Sequence, residues 1–265
     1  MSGFSTDWLS LREPVDQRSR NGAILAAVER YFHDRDAVTA IDLASGRGSM
    51  IRALMPRLPA RQHWYPIDDE PALLRDAELA RAGTIRIESR LVNLADHLED
   101  VLSIAADLIV TSAFIDLVSD PWLDRLVHGA ASRPLPVYIG MSYDGRVACS
   151  PHHDLDEMVI AAFRRHQQRD KGFGPALGPA AGEAAADKFR RARYDVMAER
   201  ADWRLERHER ELQAMMVAGW YAAVSEMGEM EPPALQTWHD QRQAWITDGR
   251  SEMMVGHLDV WATPR

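Results

Sequence analysis

The sequence predicts an α/β fold built on a doubly wound, mostly parallel sheet, and three observations carry that expectation. Short apolar runs alternate with helical patterns between residues 37 and 143, the rhythm of a sheet covered on both faces. The first run, "AIDLASGRGSM" (40–50), passes from apolar residues through one aspartate into small residues and two glycines, as a strand does when it hands over to a ligand-facing turn. The chain then closes on "EMMVGHLDVWATP", a long strand pattern (252–264).

The elements follow in order. Residues 14–33 read as one helix with Pro14 in its first turn, where a missing N–H costs nothing. "AVTAIDLA" is a strand, "MIRALMPRL" a helix, "HWYPID" a second strand and "PALLRDAELARAG" a helix ended by Gly83. "TIRIESRLVN", "ADLIVTSAF" and "PVYIGMSY" supply strands three to five. After Asp144 strand signals stop, and 146–193 reads as two helical stretches around the hinge "DKGFGPALGP", an inserted lid over the sheet's carboxyl edge. Strand-like "YDVMAER" and helices centred on "ELQAMMVAGWYAAV" and "PALQTWHDQRQAW" precede the last strand.

Composition narrows the class. The 265 residues suffice for one large domain, and 46% hydrophobic with 27% charged side chains is ordinary for a folded chain. Thirty-one Lys and Arg against 40 Asp and Glu give a net charge of −9, which opposes a long phosphate backbone as partner. The opening residues show no secretory signal and no apolar run is long enough for a membrane span. A single cysteine, Cys149, excludes an internal disulfide framework, so a cytoplasmic protein without nucleic-acid or membrane partners is expected.

The opening turn is specific in what it lacks. A dinucleotide fingerprint needs a third glycine, where Met50 and Ile51 stand, and a phosphate loop needs Gly-Lys-Ser/Thr, which is absent. What remains is Asp42 at a strand end followed by Ala44, Ser45, Gly46 and Gly48. A carboxylate there suits a ligand bearing an ammonium or sulfonium better than a pyrophosphate. An ordinary strand–helix turn is the alternative reading.

This stretch resembles motif I of the class I S-adenosylmethionine-dependent methyltransferases, acid-x-Gly-x-Gly-x-Gly, here of the small-molecule type found in bacteria; Ala44 departs at the first glycine. A methyl group is compatible with that position if the backbone keeps φ below zero. The resemblance implies a seven-stranded Rossmann-like methyltransferase fold with an antiparallel closing strand, and S-adenosylmethionine as cofactor. Asp68, 20 residues after Gly48, ends the second strand where an acid hydrogen-bonds ribose hydroxyls, with neighbouring Asp69 as the alternative. The family pattern puts Asn93 and Leu94 near the adenine and makes "ADLIVTSAFIDLV", with Thr111 and Ser112, the motif facing the methyl group. The expected organisation is a single domain, 1–265: an N-terminal helical cap (1–35), the cofactor-binding half of the sheet (36–145), the lid (146–193), and C-terminal helices and closing strands (194–265).

Methyl transfer is an in-line displacement, so the protein chiefly aligns the nucleophile and excludes water. No Asn/Asp-Pro-Pro-aromatic motif follows strand four, where "TSAF" stands, and no cysteine lies near it. Amide-type nitrogen methylation and pyrimidine chemistry through a thiol adduct are therefore disfavoured. The candidates for chemistry are Tyr143 at the end of strand five and His166 with Asp170, four apart on a helix, so that the carboxylate could orient the imidazole. Asp144, Arg146, Lys171 and Phe173 are the candidate substrate contacts, and Arg12, Asp16 and Arg20 lie on an N-terminal segment expected to cover the cofactor. "HHDLD" does not make a metal site, since adjacent histidines do not readily share one ion. The expected partner is a small-molecule acceptor. A protein side chain as acceptor, or a cofactor-binding regulator with lapsed catalysis, are the alternatives.

Overall fold

The computed structural model describes residues 6–78 and 83–265. In the first half the strands are β1 (Ala37–Leu43), β2 (Arg61–Asp68), β3 (Ile85–Ile87), β4 (Arg90–Leu91) and β5 (Leu108–Ser112). The helices around them are α1 (Thr6–Ser19), α2 (Gly22–Phe32), α3 (Ser49–Leu54), α4 (Pro71–Glu78) and α5 (Leu98–Leu102). The second half runs α6 (Asp120–Ser132), β6 (Val137–Ser150), α7 (Asp156–Gln167), α8 (Ala181–Arg191), β7 (Tyr194–Arg200) and β8 (Trp203–Leu205). It ends with α9 (Arg210–Met227), α10 (Pro232–Thr247) and β9 (Glu252–Pro264).

The strands form one sheet in the order β3–β2–β1–β5–β6–β9–β7, with β4 beside β2 and β8 beside β9. Pairing is parallel from β3 through β6, and β9 enters antiparallel between β6 and β7. Strand order therefore reverses between β1 and β5, which opens a crevice beyond their carboxyl ends. Alternation along the strands sorts the two faces: Ile41, Leu43, Ile109 and Ile139 pack under α5, α6 and α8, whereas Val38, Ala40, Leu108 and Val110 pack under α2 and α3.

Three expectations need correction. The helix over 14–33 is two helices: Asn21 caps α2, its side chain accepting from the amides of Ala23 (2.9 Å) and Ile24 (3.2 Å), so a strong local cap breaks the run. Pro14 consequently lies inside α1 and not in a first turn. The third strand is two short pieces, β3 and β4. The helix end expected near Gly83 falls partly on residues outside those described, though Gly83 does adopt a positive φ of 56°.

The inserted segment also divides differently. β6 continues to Ser150, past the expected boundary at 145/146, through register shifts between Ile139/Ser142 and Tyr143/Val147. Of its two helices, α8 lies on the sheet, burying Ala185 and Phe189 against the core that holds Val260. α7 instead joins α9 and α10 in a separate core with Trp203, Trp220, Trp238 and the extended end of β6. Among the described residues no helix is long and apolar enough to cross a membrane.

Candidate functional site

A cavity of about 320 Å³ occupies the crevice at the strand order reversal. Its floor is the turn after β1, where Ala44, Gly46 and Gly48 have φ of 51°, 53° and 78°. Gly48 is required twice over: its φ lies in the left-handed region, and a Cβ there would stand 3.1 Å from Ala77 in α4. Ala44 contradicts the expectation of a negative φ, since the turn forces it into the left-handed region despite its methyl group.

Two carboxylates hold this turn. Asp68 ends β2 and accepts from the Gly46 amide through Oδ2 (2.8 Å) and from the Glu70 amide through Oδ1 (3.0 Å). Each oxygen keeps a lone pair for a further donor. Asp42 is 1% exposed; its Oδ2 accepts from the Ser45 hydroxyl (2.6 Å), while Oδ1 is buried with no partner. Burial pushes the Asp42 carboxyl up to about 7. Asp68 is raised too, chiefly by desolvation, with the Gly46 and Glu70 amides opposing.

The cavity is acidic: Glu13, Asp16, Asp42, Asp68, Asp69 and Glu70 line it against Arg12 and Arg47. α1 covers it through Leu9, Arg12, Glu13 and Asp16. Arg52 of α3 anchors this helix by a two-point ion pair with Glu13 (Nη2–Oε2 2.7 Å), and Arg47 bonds Asp76 (2.7 Å) and the Ser10 hydroxyl. Behind the wall Arg20, 5% exposed, donates to the Ser112 hydroxyl (3.2 Å) and leaves Nε and Nη1 without partners. Burial works against its guanidinium, opposed by Tyr138 and the carboxylates of Asp259 and Asp16, and the Tyr138 hydroxyl donates to Asp259 (2.9 Å).

Of the residues expected to hold the cofactor, Asp42, Ala44, Ser45, Gly46, Asp68, Asp69, Leu94 and Ser112 line this cavity. Gly48 shapes the turn without lining it. Asn93 is exposed and spends its side chain on the Ala95 amide (2.8 Å), while its neighbours Val92 and Leu94 face the cavity. Thr111 is fully buried and ties β5 to β1 by donating to the Leu43 carbonyl (2.8 Å).

The residues proposed for substrate and catalysis separate. Only Phe173 lines the cavity, held edge-on by Phe114 (5.3 Å) and Trp122 (5.8 Å). Asp170 does not orient His166: it accepts from the amides of Gly172 (2.7 Å) and Gly174 (3.1 Å), closing its own loop, and His166 reaches Glu226 on α9 (3.2 Å). Asp144 and Arg146 lie within β6 and form an ionic knot with Asp202 (2.6 Å), bracing the strand against the β8–β9 side. Lys171 is outside the cavity lining, its ammonium destabilised mainly by partial burial. Tyr143 is 7% exposed, packed between Phe163 and His257. Among the described residues no group of His, Cys, Asp and Glu could hold a metal. Leu9, Glu13 and Leu73 had no sequence signal beyond ordinary amphipathic patterns, yet they line the cavity, as do Arg47, Glu70 and Phe114.

No family model matches the chain, and no curated protein does. Solved structures do. A cyclopropane-fatty-acyl-phospholipid synthase-like protein from Lactobacillus casei superposes with a TM-score of 0.56 at 13% identity, over 98% of this chain and 94% of that one. A cyclopropane synthase from Mycobacterium tuberculosis gives 0.53 at 8% identity, again over 98% and 94%. The chain thus has the Rossmann-like fold of class I S-adenosylmethionine-dependent methyltransferases.

Proposed function

We propose that the protein is an S-adenosylmethionine-dependent methyltransferase acting on a small-molecule acceptor. One observation carries the reading: Asp42 and Asp68 meet at the same glycine turn, the first with a buried unpartnered oxygen and the second with free lone pairs. That pair of acceptors fits the cofactor. Asp42 would face its positive charge, Asp68 would accept from its ribose hydroxyls, and Val92 and Leu94 would offer apolar surface to the base. When bound, the cofactor supplies an activated methyl group. The chain's own part is to align and enclose: α1 roofs the cavity and Phe173 closes its far side. The acidic lining and the roof favour a small acceptor over a nucleic acid.

The test is calorimetric titration with S-adenosylmethionine, S-adenosylhomocysteine and NAD. Micromolar binding of the two sulfur compounds and none of NAD is expected; binding of neither sulfur compound overturns the reading. In Asp68→Ala the loss of charge-assisted hydrogen bonds of roughly 1.5–3 kcal/mol should weaken binding about 10- to 150-fold. An unchanged affinity would assign the ribose contact elsewhere, with Asp69 the next candidate.

A further inference from the structure

Arg12 of α1 lines the cavity with only 11% of its side chain accessible. Asp16, one turn further on, takes the side edge of its guanidinium: Oδ2 accepts from Nε (2.9 Å) and Oδ1 from Nη2 (3.2 Å). The Trp203 indole donates to the same Oδ1 (2.9 Å), and the guanidinium lies over the Trp203 ring, 5.2 Å from its centre. Asp16 thus takes two of the five N–H donors. The end edge, Nη1 with the second hydrogen of Nη2, has no partner among the described residues. Unlike the orphaned nitrogens of Arg20, this Nη1 is not sealed in protein. A fork so firmly held and so little hydrated is a preformed seat for a planar anion.

The fork stands away from the two carboxylates of the cofactor turn. Asp42 and Asp68 lie at the ends of β1 and β2, whereas Trp203 belongs to β8, which pairs with β9 on the other side of β5 and β6. The lining contributed after β5 is apolar: Phe114 and Leu117 face the cavity, and Phe173 meets Phe114 edge-on at 5.3 Å. Arg47, the other basic residue of the lining, is spent on Asp76 (2.7 Å) and the Ser10 hydroxyl. The cavity therefore has an acidic end suited to the cofactor, and an apolar end at which one open cation is fixed.

Granting the methyltransferase reading, we infer that the methyl acceptor is a carboxylic acid with an aromatic or other apolar body. Its carboxylate accepts two parallel N–H bonds from Nη1 and Nη2 of Arg12, and its body lies against Phe114, Leu117 and Phe173. Asp16 and Trp203 are positioning residues, which hold the fork in one orientation before the acceptor arrives. The same fork sets specificity: an uncharged amide of the same shape offers an N–H group where Arg12 needs an acceptor, and leaves its donors poorly paired.

The experiment uses the full chain loaded with S-adenosylhomocysteine and titrates matched probes: phenylacetate, hydroxybenzoate and octanoate, each beside its uncharged amide. The acids should bind about 10- to 150-fold more tightly than the amides, as expected of charge-assisted hydrogen bonds. Arg12→Met should abolish that preference and leave the affinities for the amides and for S-adenosylhomocysteine within twofold. Because this change leaves Asp16 unpaired, Arg12→Lys is the second variant. It keeps a charge beside Asp16 and, having lost the fork, should retain the preference only in part. Trp203→Phe should weaken the acids several-fold and leave the amides unchanged. Equal binding of acids and amides, acids that do not bind at millimolar concentration, or an intact preference in folded Arg12→Met would each overturn the inference. Methylthioadenosine, which lacks the amino-acid end of the cofactor, separates the two sources of a carboxylate. If Arg12→Met weakens S-adenosylhomocysteine tenfold or more but spares methylthioadenosine, the fork holds the cofactor's own carboxylate and the inference is likewise overturned. Failure of the wild type to bind S-adenosylhomocysteine would instead overturn the methyltransferase reading itself.

Discussion

Ala44 shows how a single residue can be legible and still misjudged. Its place in the turn followed from the spacing of Asp42, Gly46 and Gly48, but its φ of 51° did not, because a positive φ is imposed by the hydrogen bond that draws Gly46 onto Asp68, a contact 22 residues away. The left-handed region costs a residue with a Cβ roughly 1–2 kcal/mol, and glycine adds about 0.5–1 kcal/mol of unfolded-state entropy. Ala44→Gly should therefore stabilise the protein by about 0.5–1 kcal/mol, read as a higher urea midpoint at unchanged slope. Asp42 sets the opposite balance. Its folded-state pKa near 7 lies above the ordinary value of 3.8, so its contribution to stability is full below about 4 and is lost as pH rises through 7. Asp42→Asn should melt higher than wild type at pH 8, by less at pH 5, and alike only below about pH 4, while cofactor affinity falls. In the wild type, affinity for the cationic cofactor should rise about tenfold between pH 6 and 8, following ionisation of this carboxylate. A flat profile would mean that Asp42 does not meet the positive charge.

At the scale of elements, most strands were readable and the coverings only in part. "AVTAIDLA" and "EMMVGHLDVWATP" match β1 and β9 because their apolar residues alternate and their ends carry turn chemistry. The covering helices are set by long-range ion pairs: Glu13 and Arg52 are 39 residues apart, and nothing local marks them. The cavity's roof is provided largely by α1, within the N-terminal segment expected to cover the cofactor, whereas of the expected lid at 146–193 only Phe173 lines the cavity. The pair also defines a prediction. It is partly exposed, with side chains 21% and 35% accessible, so its loss should cost the fold no more than about 1 kcal/mol. Glu13→Gln should nonetheless speed dissociation of S-adenosylhomocysteine several-fold in stopped flow, and raise amide exchange across residues 6–19. Unchanged release with raised exchange would show that α1 covers the cavity without retaining its occupant.

Across the whole molecule two cores are welded along β6: the doubly wound sheet, and the helical core of α7, α9 and α10. The sequence announced the first through its alternation, but the second is hidden, since its Trp and Met residues are spread over helices and strand ends from β6 to β9 that no local pattern marks as one core. The weld includes a fully buried cation. Arg242 of α10 is 0% exposed, grips Asp156 at the start of α7 through two nitrogens, and donates to the Pro151 carbonyl (2.7 Å), while the Trp238 indole donates to the same Asp156 (2.8 Å). Removing one partner of such a pair strands the other charge, at a cost of about 3–5 kcal/mol. Arg242→Met should therefore lower stability by that amount, with amide exchange rising first in α7, α9 and α10. β1, β2 and β5 should keep most of their protection, because their contacts lie in the other cores. The double variant Arg242→Met with Asp156→Leu should recover much of the loss, since replacing a buried pair by apolar groups removes the stranded charge. Uniform loss of protection across sheet and helices would show instead that the two cores open as one cooperative unit, and that the helical core cannot loosen over an intact turn after β1.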